Sequence, residues 1–215
     1  MIDVYDKSTY EVKNAFDSKF CTETIKMFEE DPRKAPGVLA RGIDDYVKKS
    51  MDLYIDSDQN FIRNFYHEIM KIVKSKYLPH LCDNGVIRLQ ENETSDFGFM
   101  IANNNLKISN PIIQRTDKDG FFHWHSDMGM ERDRLLAVIM YLNDVPEEHG
   151  GATEFNSGRK VQPEMGKVLL FPVSFWNVHR GAILKKGKKY IITAFIGFPC
   201  VKNVEPKQHL PFIIS

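Results

Sequence analysis

The chain has 215 residues, enough for one β-rich domain that would bury about 70% of its unfolded surface, so its core needs no cross-links. Lysine plus arginine and aspartate plus glutamate number 29 each, which excludes a strong overall field for nucleic acid or anionic lipid. The cysteines, Cys21, Cys82 and Cys200, are scattered and odd in number, which indicates reduced thiols rather than a disulfide framework.

No targeting segment is visible in the sequence. Residues 1–6 contain neither a basic region nor an apolar run, so they do not form a signal peptide. The longest apolar segment, residues 135–142, is too short to cross a bilayer. We therefore expect a soluble, cytoplasmic protein that has no membrane or nucleic-acid partner, and the oligomeric state stays open.

Two amphipathic helices are predicted in the first half of the chain. Residues 17–30 are mildly amphipathic, and an aspartate-proline pair follows them. A stronger stripe of apolar residues, recurring every four positions, runs from Ser57 or Asp58 to Tyr77. Either Ser57 or Asp58 can cap its first turn, and Pro79 lies just past its end. We expect this stripe to pack on a sheet.

From Phe97 onward, short β-type runs alternate with turn residues. The runs begin at Ile112 and then cover residues 135–142, 153–155, 160–161, 167–172, 174–179 and 190–196. Five to eight strands, with no helical periodicity between them, predict a sandwich or jelly roll.

Three side chains have the composition of a metal site. In an extended segment His125 and Asp127 point to one side, so they can face a common ion, while His179 must come from a distant strand. Two imidazoles and one carboxylate are the set that holds non-haem Fe(II) with open coordination positions. Taken alone, His125 could be an imidazole bonded at a sheet edge and Asp127 a capping carboxylate.

The surrounding sequence makes the pattern more specific. Glycines follow His179 by two and eight positions, and Lys189 follows it by ten. Residues 141–155 contain the sequences YLND and GGATEF. Together these features resemble the Fe(II)/2-oxoglutarate dioxygenases, in particular the prolyl 4-hydroxylase-like branch, over about residues 113–198.

The resemblance implies a mainly β (α+β) fold, a double-stranded β-helix or jelly-roll core braced by N-terminal helices. We predict a single oxygenase domain that spans residues 1–215. In it residues 1–112 form a helical supporting part, residues 113–198 the catalytic core and residues 199–215 a C-terminal extension of open role.

The resemblance also implies the cofactors. His125, Asp127 and His179 would bind Fe(II), and Lys189 would bind the distal carboxylate of 2-oxoglutarate. Dioxygen would be the other co-substrate, and ascorbate is left open as an accessory. A buried ammonium without an anion is costly, so an inward Lys189 implies an acidic ligand, although a solvated basic turn is the ordinary alternative.

One position departs from the family pattern. Where family members often carry a tyrosine that helps to hold 2-oxoglutarate, this chain has Thr116. The shorter hydroxyl of Thr116 could replace it, or the role could pass to Tyr141 or to water.

The expected reaction is hydroxylation of a substrate C–H bond with release of succinate and CO2, and no catalytic residue is expected beyond the metal ligands. A peptidyl proline or another protein side chain is the leading substrate, with a small metabolite next. Trp124 and Arg180 flank the ligands and are candidate substrate contacts, although core packing and a surface salt bridge are ordinary alternatives.

Two other classes of protein stay open at this point. A cupin-like metalloenzyme would use His123 and His125 together with His179 and would not need 2-oxoglutarate. A non-catalytic β-sandwich binding module would have no reason to keep all three ligands and Lys189.

Overall fold

The computed structural model describes residues 7–39, 42–87, 106–128 and 134–198. The strands, numbered in chain order, are β1 Tyr10–Val12, β2 Ala35–Pro36, β3 Lys48–Lys49, β4 Met51–Tyr54, β5 Lys107–Ile108, β6 Ile112–Thr116, β7 Phe121–His125, β8 Arg134–Tyr141, β9 Thr153–Phe155, β10 Lys160–Val161, β11 Val168–Pro172, β12 His179–Gly181 and β13 Lys189–Gly197. The helices are α1 Ser18–Glu30, α2 Gln59–Ile72 and α3 Leu78–Asp83, with a π-helical turn at Val73–Tyr77 and a 3₁₀ turn at Glu147–His149.

The described strands form two antiparallel sheets. The larger sheet has the order β1-β11-β8-β13-β6-β4-β2, with β5 also paired to β13, and the smaller has the order β10-β9-β12-β7-β3. Strands β3 and β4 are separated by one residue but belong to different sheets, so the chain crosses between the sheets at Ser50. This arrangement of two facing sheets confirms the predicted jelly roll.

The larger sheet separates two cores. Between it and the helices lies a core whose helical members include Phe28, Phe65 and Ile69. Between the two sheets lies a second core formed by Ala137, Ile139, Tyr141, Phe155, Val161, Leu169 and Phe171. Along β13, Ile192 belongs to the first core and Ile191 packs against the second, as the two-residue period of a strand requires. The predicted bracing of a sheet by N-terminal helices is therefore confirmed.

The helix predicted to end at Tyr77 continues further. Asp58 caps it, since its Oδ1 accepts a hydrogen bond from the Phe61 backbone N–H at 2.9 Å. The π-helical turn Val73–Tyr77 then changes the hydrogen-bonding pattern, and Pro79 lies in the first turn of α3. A proline is tolerated there because the first helical N–H groups need no partner within the helix. Thus Pro79 does not end the helix as expected.

Residues 174–179 do not form the predicted strand. They make a turn in which the Asn177 backbone N–H donates to the Ser174 carbonyl at 3.3 Å, and the strand begins only at His179. The aromatic pair in this turn, Phe175 and Trp176, is exposed, so it does not pack on a sheet as strand residues would.

The strands are more numerous than the sequence predicts. Residues 107–197 contain nine described strands instead of five to eight, because a strand of two residues such as β5 gives little sequence signal. The first part of the chain is not only helical, since β1, β2, β3 and β4 extend the two sheets. The predicted start of β texture at Phe97 and the extension 199–215 lie outside the described residues.

Within the described ranges no helix is both long and apolar enough to cross a membrane. Cys21 and Cys82 are free thiols, and Cys200 lies outside the described residues. The cytoplasmic location stays a prediction.

Replacing Asp58 by alanine should lower the free energy of unfolding by about 1 kcal/mol, because the α2 cap is lost. Ser57→Ala is the matched control and should change stability by less than about 0.5 kcal/mol, since Ser57 makes only a 3.4 Å contact to Arg33. Urea unfolding followed by circular dichroism measures both, and equal effects would contradict the assignment of the cap.

Candidate metal centre

Three polar side chains converge between the sheets. His125 ends β7 and His179 begins β12, and the two residues are directly paired across the sheet. Asp127 follows in the turn after β7, with Oδ1 at 3.6 Å from His125 Nε2 and Oδ2 at 3.7 Å from His179 Nε2. These separations exceed hydrogen-bonding distance, so the donors face a common point without satisfying one another. All three donor atoms lie within 4.8 Å of one another, and no other such group occurs in the described parts of the chain.

The backbone sets which imidazole nitrogens are available. His125 Nδ1 lies 2.7 Å from the His123 carbonyl, and His179 Nδ1 lies 3.0 Å from the Asn177 carbonyl. A carbonyl only accepts, so each Nδ1 must carry the hydrogen and donate. Both Nε2 atoms then present lone pairs toward the carboxylate of Asp127. This is the tautomer that a metal requires, with each ligand oriented by a backbone acceptor.

A β-bulge in β7 shapes the wall beside the first ligand. His179 and Gly181, two residues apart in β12, pair with His125 and Phe122, which are three residues apart in β7. The additional residue places Phe122 on the same face as His125, and their rings stack with centroids 3.6 Å apart and planes 16° apart. Bulges of this kind often occur beside active sites, where they redirect a side chain.

Burial controls the charge of the ligands. It lowers the pKa of His125 to about 3, and neighbouring His179 adds to the effect. It raises the pKa of Asp127 above its ordinary value, which His179 and Arg134 partly offset. Without a metal, therefore, the site disfavours both the imidazolium and the carboxylate, and a bound cation would compensate the buried negative charge.

Lys189 projects into the interior, as alternation along β13 predicts. It is 4% exposed, whereas neighbouring Lys188 is half exposed and lies 3.6 Å from Glu29. Its Nζ donates to the Gly151 carbonyl at 2.9 Å. Burial lowers its pKa to about 8, and no charged neighbour contributes to this shift. An anion bound next to Nζ would therefore stabilise the charged form of Lys189.

Hydroxyl groups lie around the buried side chain of Lys189. Thr116 is buried and is paired directly with Lys189. The Tyr141 hydroxyl donates to Thr153 Oγ1 at 2.7 Å, and both residues are buried. Thr153 is paired with Gly181, and a Cβ atom at Gly181 would lie 3.6 Å from Lys189 Nζ. Thr153 thus lies near the ammonium, and its own hydroxyl hydrogen is available to another acceptor.

Thr153 is a site residue that was not predicted from the sequence. Its signal was present, because Thr153 is the threonine of the GGATEF sequence. Only the pairing of β9 with β12 shows that this position faces the same region as Lys189.

The two predicted substrate contacts lie on the opposite face of the smaller sheet. Trp124 is adjacent to His125 and Arg180 to His179, so strand alternation turns them away from the ligands. The Arg180 guanidinium lies 4.8 Å from the Trp124 ring centroid and donates to Glu154 at 2.6 and 2.8 Å. This placement lends no support to a contact with substrate at the metal.

His123 also lies outside the donor group. Its side chain is exposed, and its ring contacts Phe121 with centroids 4.7 Å apart. The placement gives no support to a cupin-like ligand set.

With this geometry established, comparison with known proteins identifies the domain. Residues 111–197 match the sequence profile of the 2OG-Fe(II) oxygenase superfamily. This segment is a 2OG-Fe(II) oxygenase domain. The match confirms the resemblance to the Fe(II)/2-oxoglutarate dioxygenases inferred from the sequence.

Curated relatives and solved structures agree with this assignment. The chain is 32% identical over 95 residues to the mouse 2-oxoglutarate and iron-dependent oxygenase domain-containing protein 3, covering 42% of this chain and 30% of that protein. It is 23% identical over 194 residues to the protein of the same name from Xenopus tropicalis, covering 82% of this chain and 60% of that protein. The chain therefore spans about a third to three fifths of these relatives.

The solved structures that resemble this chain include prolyl hydroxylases. One is a prolyl hydroxylase from Trichoplax adhaerens in complex with a peptide of hypoxia inducible factor, with a TM-score of 0.62, 18% identity and coverage of 89% of this chain and 84% of that one. Another is a prolyl 4-hydroxylase from Pseudomonas putida, with a TM-score of 0.61, 13% identity and coverage of 91% and 97%. At these identities the likeness shows the shared fold.

The superfamily uses Fe(II), 2-oxoglutarate and dioxygen, and the residues of this oxygenase domain fit that set. Two inward Nε2 atoms and one carboxylate supply the nitrogen and oxygen donors of non-haem Fe(II). Lys189 adds a buried amine that would supply a cation for a dicarboxylate.

Acid should destabilise the metal-free protein through His125. The unfolded chain takes up a proton there near pH 6.5, whereas the folded chain does so only near pH 3, so the unfolded state binds more protons between these values. The contribution of neutral His125 to the free energy of unfolding is fully present above pH 6.5 and is lost as the pH falls below that value. Lowering the pH from 7 to 5 should thus reduce the free energy of unfolding by about 1–2 kcal/mol through His125.

Urea unfolding with a chelator present, at pH 7 and pH 5, measures this loss in the wild type and in His125→Gln. The variant should lose about 1–2 kcal/mol less between the two pH values. An identical pH dependence in both proteins would contradict a neutral, buried His125.

Proposed function

We propose that this protein is an Fe(II)- and 2-oxoglutarate-dependent dioxygenase that hydroxylates a C–H bond of a protein or peptide, with release of succinate and CO2. A peptidyl proline is the first substrate to test, and another protein side chain the next. One observation carries the proposal: three inward metal donors and a buried ammonium, which has no charged neighbour among the described residues, lie in the interior between the sheets.

His125, Asp127 and His179 would hold the metal. In each histidine the other ring nitrogen, Nδ1, donates to a backbone carbonyl. The Nε2 atoms therefore cannot turn away from the site without breaking a hydrogen bond. Within the described ranges the protein donors come from β7, the turn after it and β12, which would leave the remaining positions to exchangeable ligands. When bound, Fe(II) supplies dioxygen activation and the oxidative decarboxylation of 2-oxoglutarate that is coupled to hydroxylation.

Lys189 would bind the distal carboxylate of 2-oxoglutarate. Its Nζ donates to the Gly151 carbonyl, a neutral acceptor, and burial lowers its pKa with no contribution from a charged neighbour among the described residues. A carboxylate would restore the charged form and compensate the desolvation of the ammonium. The size of the anion is then limited by the distance between the metal donors and Lys189.

Thr153 would donate the hydroxyl hydrogen that the family tyrosine supplies in other members. Tyr141 donates to Thr153 and leaves that hydrogen free, so Tyr141 acts through its neighbour and not on the co-substrate itself. Thr116 lies opposite Lys189 and would form another side of the same pocket. Ascorbate as an accessory reductant stays a prediction.

Apolar groups beside the metal donors support a polymer as substrate. Met128, next to Asp127, is 55% exposed, and Phe175 and Trp176 are 58% and 45% exposed with ring centroids 3.6 Å apart. The Ser126 hydroxyl donates to the Ser174 carbonyl at 3.2 Å and joins the turn that carries these rings to the segment that carries Asp127. An exposed apolar surface of this kind suits a peptide better than a small polar metabolite.

Asp127→Ala should abolish metal binding, because it removes the one anionic ligand and leaves two neutral imidazoles. Equilibrium dialysis with Fe(II) under anaerobic conditions measures it directly, and Asp119→Ala is the control on the surface. Full iron occupancy in Asp127→Ala would contradict the ligand assignment.

Lys189→Met should still bind the metal but should bind 2-oxoglutarate about 10- to 100-fold more weakly, the usual range for loss of a hydrogen bond to a charged group. Lys188→Met, whose side chain faces solvent, is the matched control and should bind normally. The absorption band that appears when 2-oxoglutarate chelates Fe(II) anaerobically reports the affinity. Equal binding by wild type and Lys189→Met would exclude this site for the carboxylate.

The two hydroxyl candidates can be separated by substitution with valine, which has the same shape. Thr153→Val should weaken 2-oxoglutarate about 5- to 10-fold, and Thr116→Val should have a smaller effect. The same titration distinguishes the two variants. A larger loss of affinity in Thr116→Val than in Thr153→Val would assign the hydroxyl contact to Thr116 instead.

The substrate class is tested with a panel of proline-containing peptides, matched peptides without proline and free small metabolites, incubated with Fe(II) and 2-oxoglutarate in air. Mass spectrometry should find a gain of one oxygen on a peptide, with succinate formed in equal amount. Oxygen gain only on free metabolites would contradict a peptide substrate while leaving the dioxygenase chemistry intact.

A further inference from the structure

An ion pair is buried in the interior close to the His125 ring. Lys48 Nζ lies 2.6 Å from Asp52 Oδ2, and the side chains are 5% and 1% exposed. Desolvation of two charges offsets much of their attraction, so a pair of this kind gives little net stability compared with apolar residues. Its position is therefore of interest for function.

Lys48 contacts the aromatic neighbour of the metal ligand. It is paired directly with Phe122 across β3 and β7, and its Nζ lies 5.3 Å from the centroid of the Phe122 ring. That distance is within the range of a cation–π interaction. The same ring stacks on His125 with centroids 3.6 Å apart. The ammonium and the imidazole thus both contact one aromatic ring.

Asp52 anchors this assembly to the other sheet. It belongs to β4 of the larger sheet and accepts from Ser50 Oγ at 2.8 Å and from Gln114 Nε2 at 3.5 Å. Lys48 belongs to β3 of the smaller sheet. The ion pair therefore joins the two sheets at the point where the chain crosses between them, and it fixes Phe122 with respect to both.

We propose that the Lys48–Asp52 pair is a positioning element for the metal ligand His125, acting through Phe122. The hydrogen bond from His125 Nδ1 to the His123 carbonyl fixes one direction of the imidazole, and the stacked Phe122 ring limits its tilt. Holding Phe122 in place keeps His125 Nε2 directed at Asp127. The inference rests on the proposed function, because it takes His125 to be a metal ligand.

The test uses the variant Lys48→Met/Asp52→Asn, which removes both charges with little change in volume and leaves no uncompensated charge inside. We expect its affinity for Co(II), added alone as a probe, to fall about tenfold, the lower end of what loss of a supporting contact costs a metal site. The visible absorption of bound Co(II) should also change, since it reports ligand geometry. Thermal unfolding of the metal-free protein verifies that the variant is folded.

A double-mutant cycle with Phe122→Leu tests whether the ion pair acts on His125 through the Phe122 ring. In the Phe122→Leu background, removal of the ion pair should weaken Co(II) less than about twofold further, because the ring that transmits its effect is gone. The control is Lys167→Met, which removes a buried lysine that pairs with Glu11 at 3.1 Å and Glu164 at 2.6 Å. It should lower the melting temperature without changing Co(II) binding.

The outcomes separate the two proposals. If the wild type does not bind Co(II), the proposed metal site is wrong. If the wild type binds and Lys48→Met/Asp52→Asn binds equally with an unchanged spectrum, the positioning role is wrong while the metal site stands. An equal loss of affinity with and without Phe122 would also overturn the proposed route through that ring.

Discussion

The pairing of β7 with β12 is the constraint on which the rest of the site depends. It places His125 opposite His179, and the bulge in the same pair turns Phe122 to the inner face. Because each Nδ1 is engaged by a backbone carbonyl, the tautomer of both ligands follows from the local chain path. The two histidine donors are thus oriented by backbone carbonyls, and for His125 the stacked Phe122 ring adds a side-chain constraint.

Much of this site could be predicted from the sequence because it follows from short-range geometry. The two-residue period of an extended segment predicted that His125 and Asp127 face one side, which they do although Asp127 lies in the turn after β7, and the same period turns Lys189 inward and Lys188 outward. The resemblance to a known family added His179, which no local rule connects to the other ligands. The helices were predictable as elements because their apolar stripes are long.

What could not be predicted depends on partners that are distant in sequence. The bulge before His125 exists only relative to β12, so alternation alone did not reveal that Phe122 shares the face of the ligand. Thr153 becomes relevant only through its pairing with Gly181. A π-helical turn before Pro79 lets the helix continue, although a proline is the usual signal for its end. The bulge and the placement of Thr153 depend on tertiary pairing, and the π-helical turn is the exception, because it is a local change in helical hydrogen bonding.

The turn between β11 and β12 has a mechanical consequence for the domain. Its Ser174 carbonyl accepts from Ser126, one residue before a ligand, and its Asn177 carbonyl accepts from the imidazole of His179. The exposed rings of Phe175 and Trp176 lie between those two points. The turn that carries the rings is thus hydrogen-bonded both to the residue before Asp127 and to the imidazole of His179, which mechanically connects the outer surface to two of the candidate metal donors.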